Sequence, residues 1–219
     1  LPEMESLVMK LAKVAGIKTV PNALVKLQDE FAYITKRIDR LSSKSGTELF
    51  AMEDFCQLSE RLTEEKYKSS YERCAKIISQ FSSNAGLDLA ELFYRLVFCF
   101  VTGNSDMHLK NFSLIEIEPK SRKFVLSPAY DLLPVNIVMP EDTEEFALTM
   151  NGKKANIKKS DFIIFAKNCK IPEKAAYKMI NKVLSLNDKF LTVIKESFLS
   201  ENEKSAFMSL MTARMNRLS

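Results

Sequence analysis

The polar segment at residues 101–115, VTGNSDMHLKNFSLI, carries side chains whose types and spacing could support a reaction. It holds the only histidine of the 219 residues, His108, between Asp106 and Asn111. A carboxylate can accept a proton as a general base, and a carboxamide oxygen can bind a hard divalent cation such as Mg²⁺. Two interpretations are open at this point: a solvated turn between core elements, or a loop that carries chemistry.

The spacing of the two outer residues favours phosphoryl transfer. Asp106 and Asn111 follow the order D-x-x-x-x-N, in which protein-kinase catalytic loops place a base and a magnesium ligand. A second metal-binding carboxylate should arrive after the next hairpin, and Asp131 in PAYDLLP has that position, although no Phe-Gly follows it. Alone, the five-residue spacing is a weak signal, because it occurs by chance in most proteins of this size.

Rigid elements should flank this loop. The apolar run Leu92–Val101 predicts a helix buried on all sides, and Asp88 is positioned to cap it. The segments FSLIEIE and KFVLS after the loop predict a hairpin. The remaining patterns predict helices at 3–15, 71–81, 159–168, 173–185, 187–199 and 201–217, a hairpin around residues 28–30, a flexible connection at 41–48, a short helix at 52–58 and a strand at 146–150.

The composition is that of an ordinary globular protein with one large domain or two small ones. Few glycines (5) and prolines (7) favour a largely helical chain, and a net charge of only +4, with scattered lysines, argues against a nucleic-acid-binding protein. The four cysteines form no CxxC pair, so we expect buried free thiols rather than a zinc site. Without an apolar run of about 18 residues, we expect a cytoplasmic protein with no membrane span.

Two segments together, GNSDMHLKNFSLI and LSPAYDLLP, closely resemble the signature of the HipA-like kinases, the toxin components of bacterial toxin–antitoxin modules. LPEMESLVMKLAKVAGI and ITKRIDR are similar to two further motifs of that family, so the resemblance spans nearly the whole chain and is poorest at residues 41–70. The matching residues of the signature are Gly103, Asn104, Asp106, His108, Lys110, Asn111, Phe112, Ser113, Pro128, Tyr130 and Asp131.

This resemblance implies a mainly α (α+β) fold with a protein-kinase-like C-terminal lobe and a small β-hairpin remnant of the N-terminal lobe. Residues 1–40 would form a helix and hairpin of the N-terminal lobe and hinge. Residues 41–219 would form the helical C-terminal lobe, with a catalytic loop at 103–113 and a metal-binding segment at 127–134.

The resemblance also implies roles for individual residues. Asp106 would be the catalytic base, and Asn111 and Asp131 would bind Mg²⁺ together with ATP. Lys110 and His108 belong to the catalytic set, where either would contact the γ-phosphate or stabilise the loop. For His108, a purely structural role in bracing the loop stays equally open.

Other expected nucleotide contacts lie near the N-terminus. Residues 35–38 would be the hinge beside the adenine, but Lys36 and Ile38 depart from the family's usual Glu and aromatic residue. The family's phosphate-covering loop and strand lysine would precede residue 1, so we expect them from the rest of a longer protein or from a separate small chain. Glu3 or Glu5 would pair with that lysine, although acids in a first helical turn are also favoured by the helix dipole.

The function implied is a Mg²⁺-dependent serine/threonine-protein kinase that transfers the γ-phosphate of ATP to a protein hydroxyl. The implied partners are an aminoacyl-tRNA synthetase as substrate, a helix-turn-helix antitoxin that would provide any contact with DNA, and a separate N-lobe chain. Two alternatives stay open. One is a catalytically incomplete module that docks an antitoxin or an N-lobe chain, and the other is a small-molecule kinase with the same phosphotransfer loop.

Overall fold

The computed structural model describes residues 1–44 and 46–219, about half of them helical. In chain order the elements are α1 (Pro2–Ala15), β1 (Asn22–Leu27), β2 (Glu30–Thr35), β3 (Arg40–Ser43), β4 (Gly46–Leu49), β5 (Met52–Asp54), α2 (Tyr71–Phe81), α3 (Ala85–Thr102), β6 (Ser113–Glu116), β7 (Phe124–Leu126), α4 (Val135–Val138), α5 (Lys159–Asn168), α6 (Glu173–Leu184), α7 (Asn187–Lys195) and α8 (Glu201–Leu218).

Helix α3 is the centre of the core and ends at the polar loop. Every residue from Leu92 to Val101 is buried, and α2, α5, α6 and α8 pack around the helix, which confirms the predicted buried helix. Gly103 ends it with φ +70°, and a Cβ there would lie 2.9 Å from Leu210 of α8. A left-handed residue is the usual helix C-cap, and only glycine adopts it here without strain or collision.

Asp88 lies inside α3 instead of capping it, so that prediction is wrong. Its carboxylate accepts hydrogen bonds from the backbone N–H of Leu126 at 2.7 Å and from the Ser82 hydroxyl at 2.6 Å. The side chain therefore ties α3 to β7, which is the last strand before the Asp131 segment.

The predicted hairpin after the polar loop is confirmed and forms two strands of an antiparallel sheet, in the order β5-β6-β7. The prediction of a helix at 52–58 is wrong, because residues 52–54 form the edge strand β5 and only a short 3-10 turn at 57–59 is helical. Asp54 stands opposite Ser113 in this sheet. Pairing with β6, some 60 residues later, outweighs the local helical pattern.

Two further hairpins precede this sheet. The β1–β2 hairpin is confirmed, with Asn22 opposite Thr35, and it packs on α1. A flexible connection was expected at residues 41–48, but residues 41–43 and 46–48 belong to the β3–β4 hairpin, in which Leu41 stands opposite Glu48. Residue 45 lies outside the described residues. The strand expected at 146–150 is reduced to isolated bridges at Thr149 and Met150.

The helix predictions hold within a few residues, except that α7 ends at Lys195 rather than 199. All four cysteines are buried and free, as expected from their spacing. In the described part of the chain, no helix is both long and apolar enough to cross a membrane.

Candidate active site

Asp106 lies just beyond the α3 C-cap and is held by neighbours on both its backbone and its side chain. Its N–H donates to Asn104 Oδ1 at 3.2 Å, and its carbonyl accepts from the His108 N–H at 2.8 Å. The Tyr67 hydroxyl donates to Asp106 Oδ1 at 2.8 Å. The carboxylate is partly exposed, so it is both oriented and accessible.

Asn111 and Asp131 meet directly, although 20 positions separate them in the sequence. Asn111 Nδ2 donates to Asp131 Oδ2 at 2.5 Å, and Asn111 Oδ1 accepts from the His108 N–H at 3.0 Å. Asn111 is only 2% exposed, whereas Asp131 is exposed. The amide therefore links the interior of the loop to a carboxylate at its surface.

The backbone around Asp131 fixes that carboxylate. Asp131 has φ +56°, a left-handed conformation that a non-glycine residue keeps only where its surroundings enforce it. Leu132 beside it is 1% exposed, and Ala129 pairs with the α1–β1 connection through two hydrogen bonds, of 2.7 Å to Lys18 O and 2.9 Å from Val20 N. The segment is thus anchored on both sides of Asp131.

Lys110 faces a cleft on the sheet side of the loop. Its ammonium lies 3.2 Å from the Asp54 carboxylate, and the Lys110 side chain is 38% exposed, so it remains accessible to an anionic ligand. Its carbonyl accepts a hydrogen bond of 3.0 Å from the Tyr130 hydroxyl, which also contacts Ser113 Oγ at 2.5 Å. Burial raises the pKa of Tyr130 to about 12, so this phenol stays a donor.

That cleft, which we call the hinge cleft, has a volume of about 370 Å³, within the range of small-ligand pockets. Lys36 and Ile38 line this cleft together with Lys110, as do Thr35 and Arg37, so all four residues of the predicted hinge lie at the same cleft as Lys110. The Lys36 N–H donates a hydrogen bond of 2.9 Å to the Pro21 carbonyl.

A second cleft of about 360 Å³, which we call the loop cleft, opens at Asp106. Its walls combine apolar side chains from the α4 region with acids, and it shares no lining residue with the hinge cleft. Its lining residues include Tyr67, Ser105, Asp106, Leu133, Met139 and Asp142. The two clefts thus approach the polar loop from different sides.

His108 is only 5% exposed and is a lining residue of neither cleft. Its ring stands edge-on to Tyr67 with 5.0 Å between centroids, and its Nδ1 has no hydrogen-bond partner among the described residues. Burial lowers the pKa of His108 below its usual range, although the Asp106 carboxylate opposes this. A neutral imidazole at neutral pH follows.

Comparisons with known proteins identify the family of this chain. Residues 1–190 match the family model of the HipA-like C-terminal domain. This chain belongs to that family. A relative in Sinorhizobium fredii, named "Putative kinase Y4dM", is 32% identical over an alignment of 189 positions, which covers 80% of this chain and 44% of the relative. The HipA-like chain therefore spans less than half of that relative's length.

Solved structures share the fold of the HipA-like chain at low sequence identity. HipA in a complex with HipB and operator DNA from Shewanella oneidensis has a TM-score of 0.84 and 20% identity, covering 100% of this chain and 55% of that one. The proinflammatory kinase CtkA of Helicobacter pylori has a TM-score of 0.71 and 14% identity, covering 99% of this chain and 83% of that one.

Glu5 of the HipA-like chain, in the first turn of α1, is near enough to Asp131 for the two carboxyls to interact electrostatically. Burial raises the pKa of the Glu5 carboxyl to about 7, and the Asp131 carboxylate adds to this. Burial raises the pKa of Tyr33, and the carboxylates of Glu5 and Asp131 add to this. The Tyr33 hydroxyl is buried and has no hydrogen-bond partner among the described residues. Among the described residues no cation pairs with Glu5. Glu3 lies elsewhere, in a groove beside Phe198.

The structure thus brings Asn111 into contact with Asp131, places Asp106 and His108 on the same loop, and places Lys110, Lys36 and Ile38 around the hinge cleft. Two contributors escaped the sequence interpretation: Asp54, the partner of Lys110, and Tyr67, the partner of Asp106. A single aromatic ring in the charged tract at 59–70 was the available signal for Tyr67.

Proposed function

We propose that this chain is the catalytic C-terminal portion of a HipA-like serine/threonine-protein kinase, which transfers the γ-phosphate of ATP to a protein hydroxyl with Mg²⁺. The observation that carries the proposal is the direct contact of Asp131 with Asn111, which lies on the same loop as Asp106. Phosphoryl transfer by protein kinases needs a base and two metal ligands close together, and the protein itself takes little covalent part in the reaction.

The donor atoms fit magnesium. Mg²⁺ prefers a few hard oxygen ligands plus phosphate oxygens, and Asp131 has an exposed carboxylate beside the Asn111 carboxamide. Asn111 Oδ1 already accepts one hydrogen bond from His108, and its second lone pair remains for a cation. When bound, the ion would neutralise charge on the phosphates and fix their position relative to the loop.

The chain's own residues would divide the remaining work. Asp106 would accept the proton of the acceptor hydroxyl from the loop cleft. Lys110, accessible in the hinge cleft beside Lys36 and Ile38, would contact the nucleotide phosphates. For His108, its burial and lowered pKa favour bracing of the loop over a charged contact with phosphate.

Glu5 supports the proposal that residues 1–40 belong to an N-terminal lobe and hinge, and 41–219 to the C-terminal lobe. A half-buried carboxyl with a raised pKa beside a second acid is stabilised by an incoming cation. We infer that a lysine from another segment or chain fills this role in the complete kinase. A helix-turn-helix antitoxin as partner is supported by the likeness to a HipA–HipB–DNA complex.

The decisive experiment measures phosphate transfer to protein by the complete kinase, meaning this chain with whatever supplies the phosphate-covering lobe. We expect Asp106→Asn to lower kcat at least 100-fold, as typical for loss of a general base, with ATP binding retained. Asp131→Ala should instead abolish the Mg²⁺-dependent part of nucleotide binding. Transfer by Asp106→Asn at the wild-type rate would refute the role of Asp106 as the base, whereas no transfer by the wild-type protein would favour a catalytically incomplete binding module.

A further inference from the structure

Tyr67 makes a contact with the proposed base that the catalytic-loop motif does not explain. Its hydroxyl donates to Asp106 Oδ1 across a sequence separation of 39 residues, so the contact comes from tertiary structure. In residues 1–44 and 46–219, no side chain or backbone group donates a hydrogen bond to the other carboxylate oxygen. The two oxygens of Asp106 therefore have different surroundings.

The position of the Tyr67 phenol is fixed by several contacts around it. The Lys66 carbonyl accepts a hydrogen bond of 3.3 Å from the Leu109 N–H, which ties the backbone next to Tyr67 to the polar loop. The Tyr67 ring stands edge-on to His108, and the Lys66 ammonium lies 4.9 Å from its centroid. An aromatic ring held in this way presents its hydroxyl at little entropic cost.

A second tyrosine four residues later shows what a purely structural contact to this loop looks like. Tyr71 is 0% exposed, and its hydroxyl donates to the carbonyl of Met107 at 3.1 Å, so it holds the backbone from inside the core. Tyr67, in contrast, is 41% exposed, lines the loop cleft and touches the reactive side chain itself. Its contact lies where an acceptor would enter.

We propose that Tyr67 is a positioning residue for phosphoryl transfer: by holding Asp106 Oδ1, it presents Oδ2 to the acceptor hydroxyl in the loop cleft. This inference rests on the proposed function. In the step, the acceptor O–H gives its proton to Oδ2 while its oxygen forms a bond to the γ-phosphorus. The bond from that phosphorus to the bridging oxygen breaks, and ADP leaves with the electron pair.

Tyr67 itself keeps its proton throughout. Burial, together with the hydrogen bond to Asp106, raises the pKa of Tyr67 to about 12. At neutral pH the phenol is therefore a donor only, and the base remains Asp106. A donor to one carboxylate oxygen restricts rotation of the carboxylate, and orientation of this kind contributes to rate without contributing to nucleotide affinity.

The test compares two Tyr→Phe variants of the complete kinase. Tyr67→Phe keeps the ring against His108 and removes only the hydroxyl; we expect kcat about tenfold lower, since one hydrogen bond is lost, with an unchanged KM for ATP. Tyr94→Phe is the matched control, because its hydroxyl donates at 2.8 Å to Ala15 O, away from the loop. It should retain kcat. Full kcat in Tyr67→Phe, or an equal loss in Tyr94→Phe, overturns the proposal.

A second readout needs no turnover. With ¹³C-labelled tyrosine, the NMR titration of Tyr67 should show a lower pKa in Asp106→Asn than in the wild type, because the anionic acceptor is lost. An unchanged titration overturns the contact. Failure of the proposed function is distinguishable, since it appears as an active Asp106→Asn enzyme. Failure of this inference appears as a fully active Tyr67→Phe enzyme beside an inactive Asp106→Asn one.

Discussion

The polar loop and the two N-terminal hairpins differ in which side chains they bury: the loop buries polar residues, and the hairpins expose apolar ones. In the loop, polar residues such as Asn104 and Asn111 are almost fully buried and hydrogen-bonded. In the hairpins, large apolar residues are exposed, namely Leu27 at 59%, Ile34 at 52%, Leu41 at 49% and Leu49 at 62%. The loop is therefore preorganised by this chain's own core, whereas the hairpins present apolar surface of the kind that other protein segments cover.

The largest effect expected from this contrast is on stability. Phe112, at the end of the polar loop, is 0% exposed and packs 5.7 Å from Phe55 between ring centroids. We expect Phe112→Ala to lower the free energy of unfolding by about 3–5 kcal/mol, because it leaves a cavity under the loop. Urea unfolding measures this change.

The control for that change lies on the hairpin side. Phe198 contacts Phe31 of β2 at 5.1 Å between centroids but is 70% exposed. Phe198→Ala should cost below about 1 kcal/mol, since little area is removed from the interior. Equal losses in the free energy of unfolding for the two variants would mean that the loop and the hairpin are packed equally well against the core, which would contradict the difference in burial.

The loop was predictable from sequence because its spacing is local. Asp106 and Asn111 lie five positions apart on one loop, which begins where α3 ends at Thr102 and includes a 3-10 turn at Leu109–Asn111. Asp131, whose contact with Asn111 spans 20 positions, was predicted less directly, from its position after the next hairpin and from the family motif. What these residues do was an expectation from resemblance and stays a proposal.

Contacts over longer separations escaped the sequence analysis. Asp54 reaches Lys110 across 56 positions, because β5 pairs with β6, and a helical pattern at 52–58 concealed that strand. The prediction of a flexible connection at residues 41–48 was wrong for a different reason. The serines and glycine there are typical of a loop, yet β3 and β4 pair as a two-stranded hairpin. Neither outcome is encoded in a local pattern, since pairing partners decide it.

A comparison of two lysines in the hinge cleft tests the same contrast through activity. Lys110→Ala removes an ammonium on the loop side, and we expect kcat of the complete kinase to fall about tenfold or more, since the lysine would contact the phosphates. Lys36→Ala on the hinge side should change kcat less than about twofold, because the hinge would use backbone groups. Steady-state kinetics with ATP measures both. A larger loss for Lys36→Ala would contradict the assignment.

Glu5 lies at the junction between the two regions, where it faces Asp131 and Tyr33, and it should make stability depend on pH. Its pKa is raised from 4.5 to about 7 in the folded chain, so the folded state binds the proton more tightly than the unfolded state. Its contribution therefore favours folding below about pH 4.5 and is lost as pH rises through 7. Because the carboxyl is half-exposed, solvent screening reduces the effect to about 1 kcal/mol.

Urea unfolding at pH 5 and pH 8 measures this contribution when wild type is compared with Glu5→Gln. The glutamine keeps the size of the side chain but cannot ionise, so we expect the wild type to lose more stability than the variant between the two pH values. Parallel pH dependence in the two proteins would show that Glu5 does not carry a raised pKa. Other titrating groups cancel in this difference.

The smallest expected effect is on the β3–β4 hairpin. Leu49 stands opposite Arg40 in β4 and is 62% exposed, so Leu49→Thr removes an apolar side chain from the surface and keeps a good strand former. The free energy of unfolding should change by less than about 0.5 kcal/mol. The same substitution at Leu114 of β6, which is 2% exposed, should cost about 2–5 kcal/mol, because it leaves a cavity and a buried hydroxyl. A comparable loss in the free energy of unfolding at Leu49 would mean that the hairpin is packed against the rest of this chain in solution. The contrast between a loop held by the core and an exposed hairpin would then be wrong.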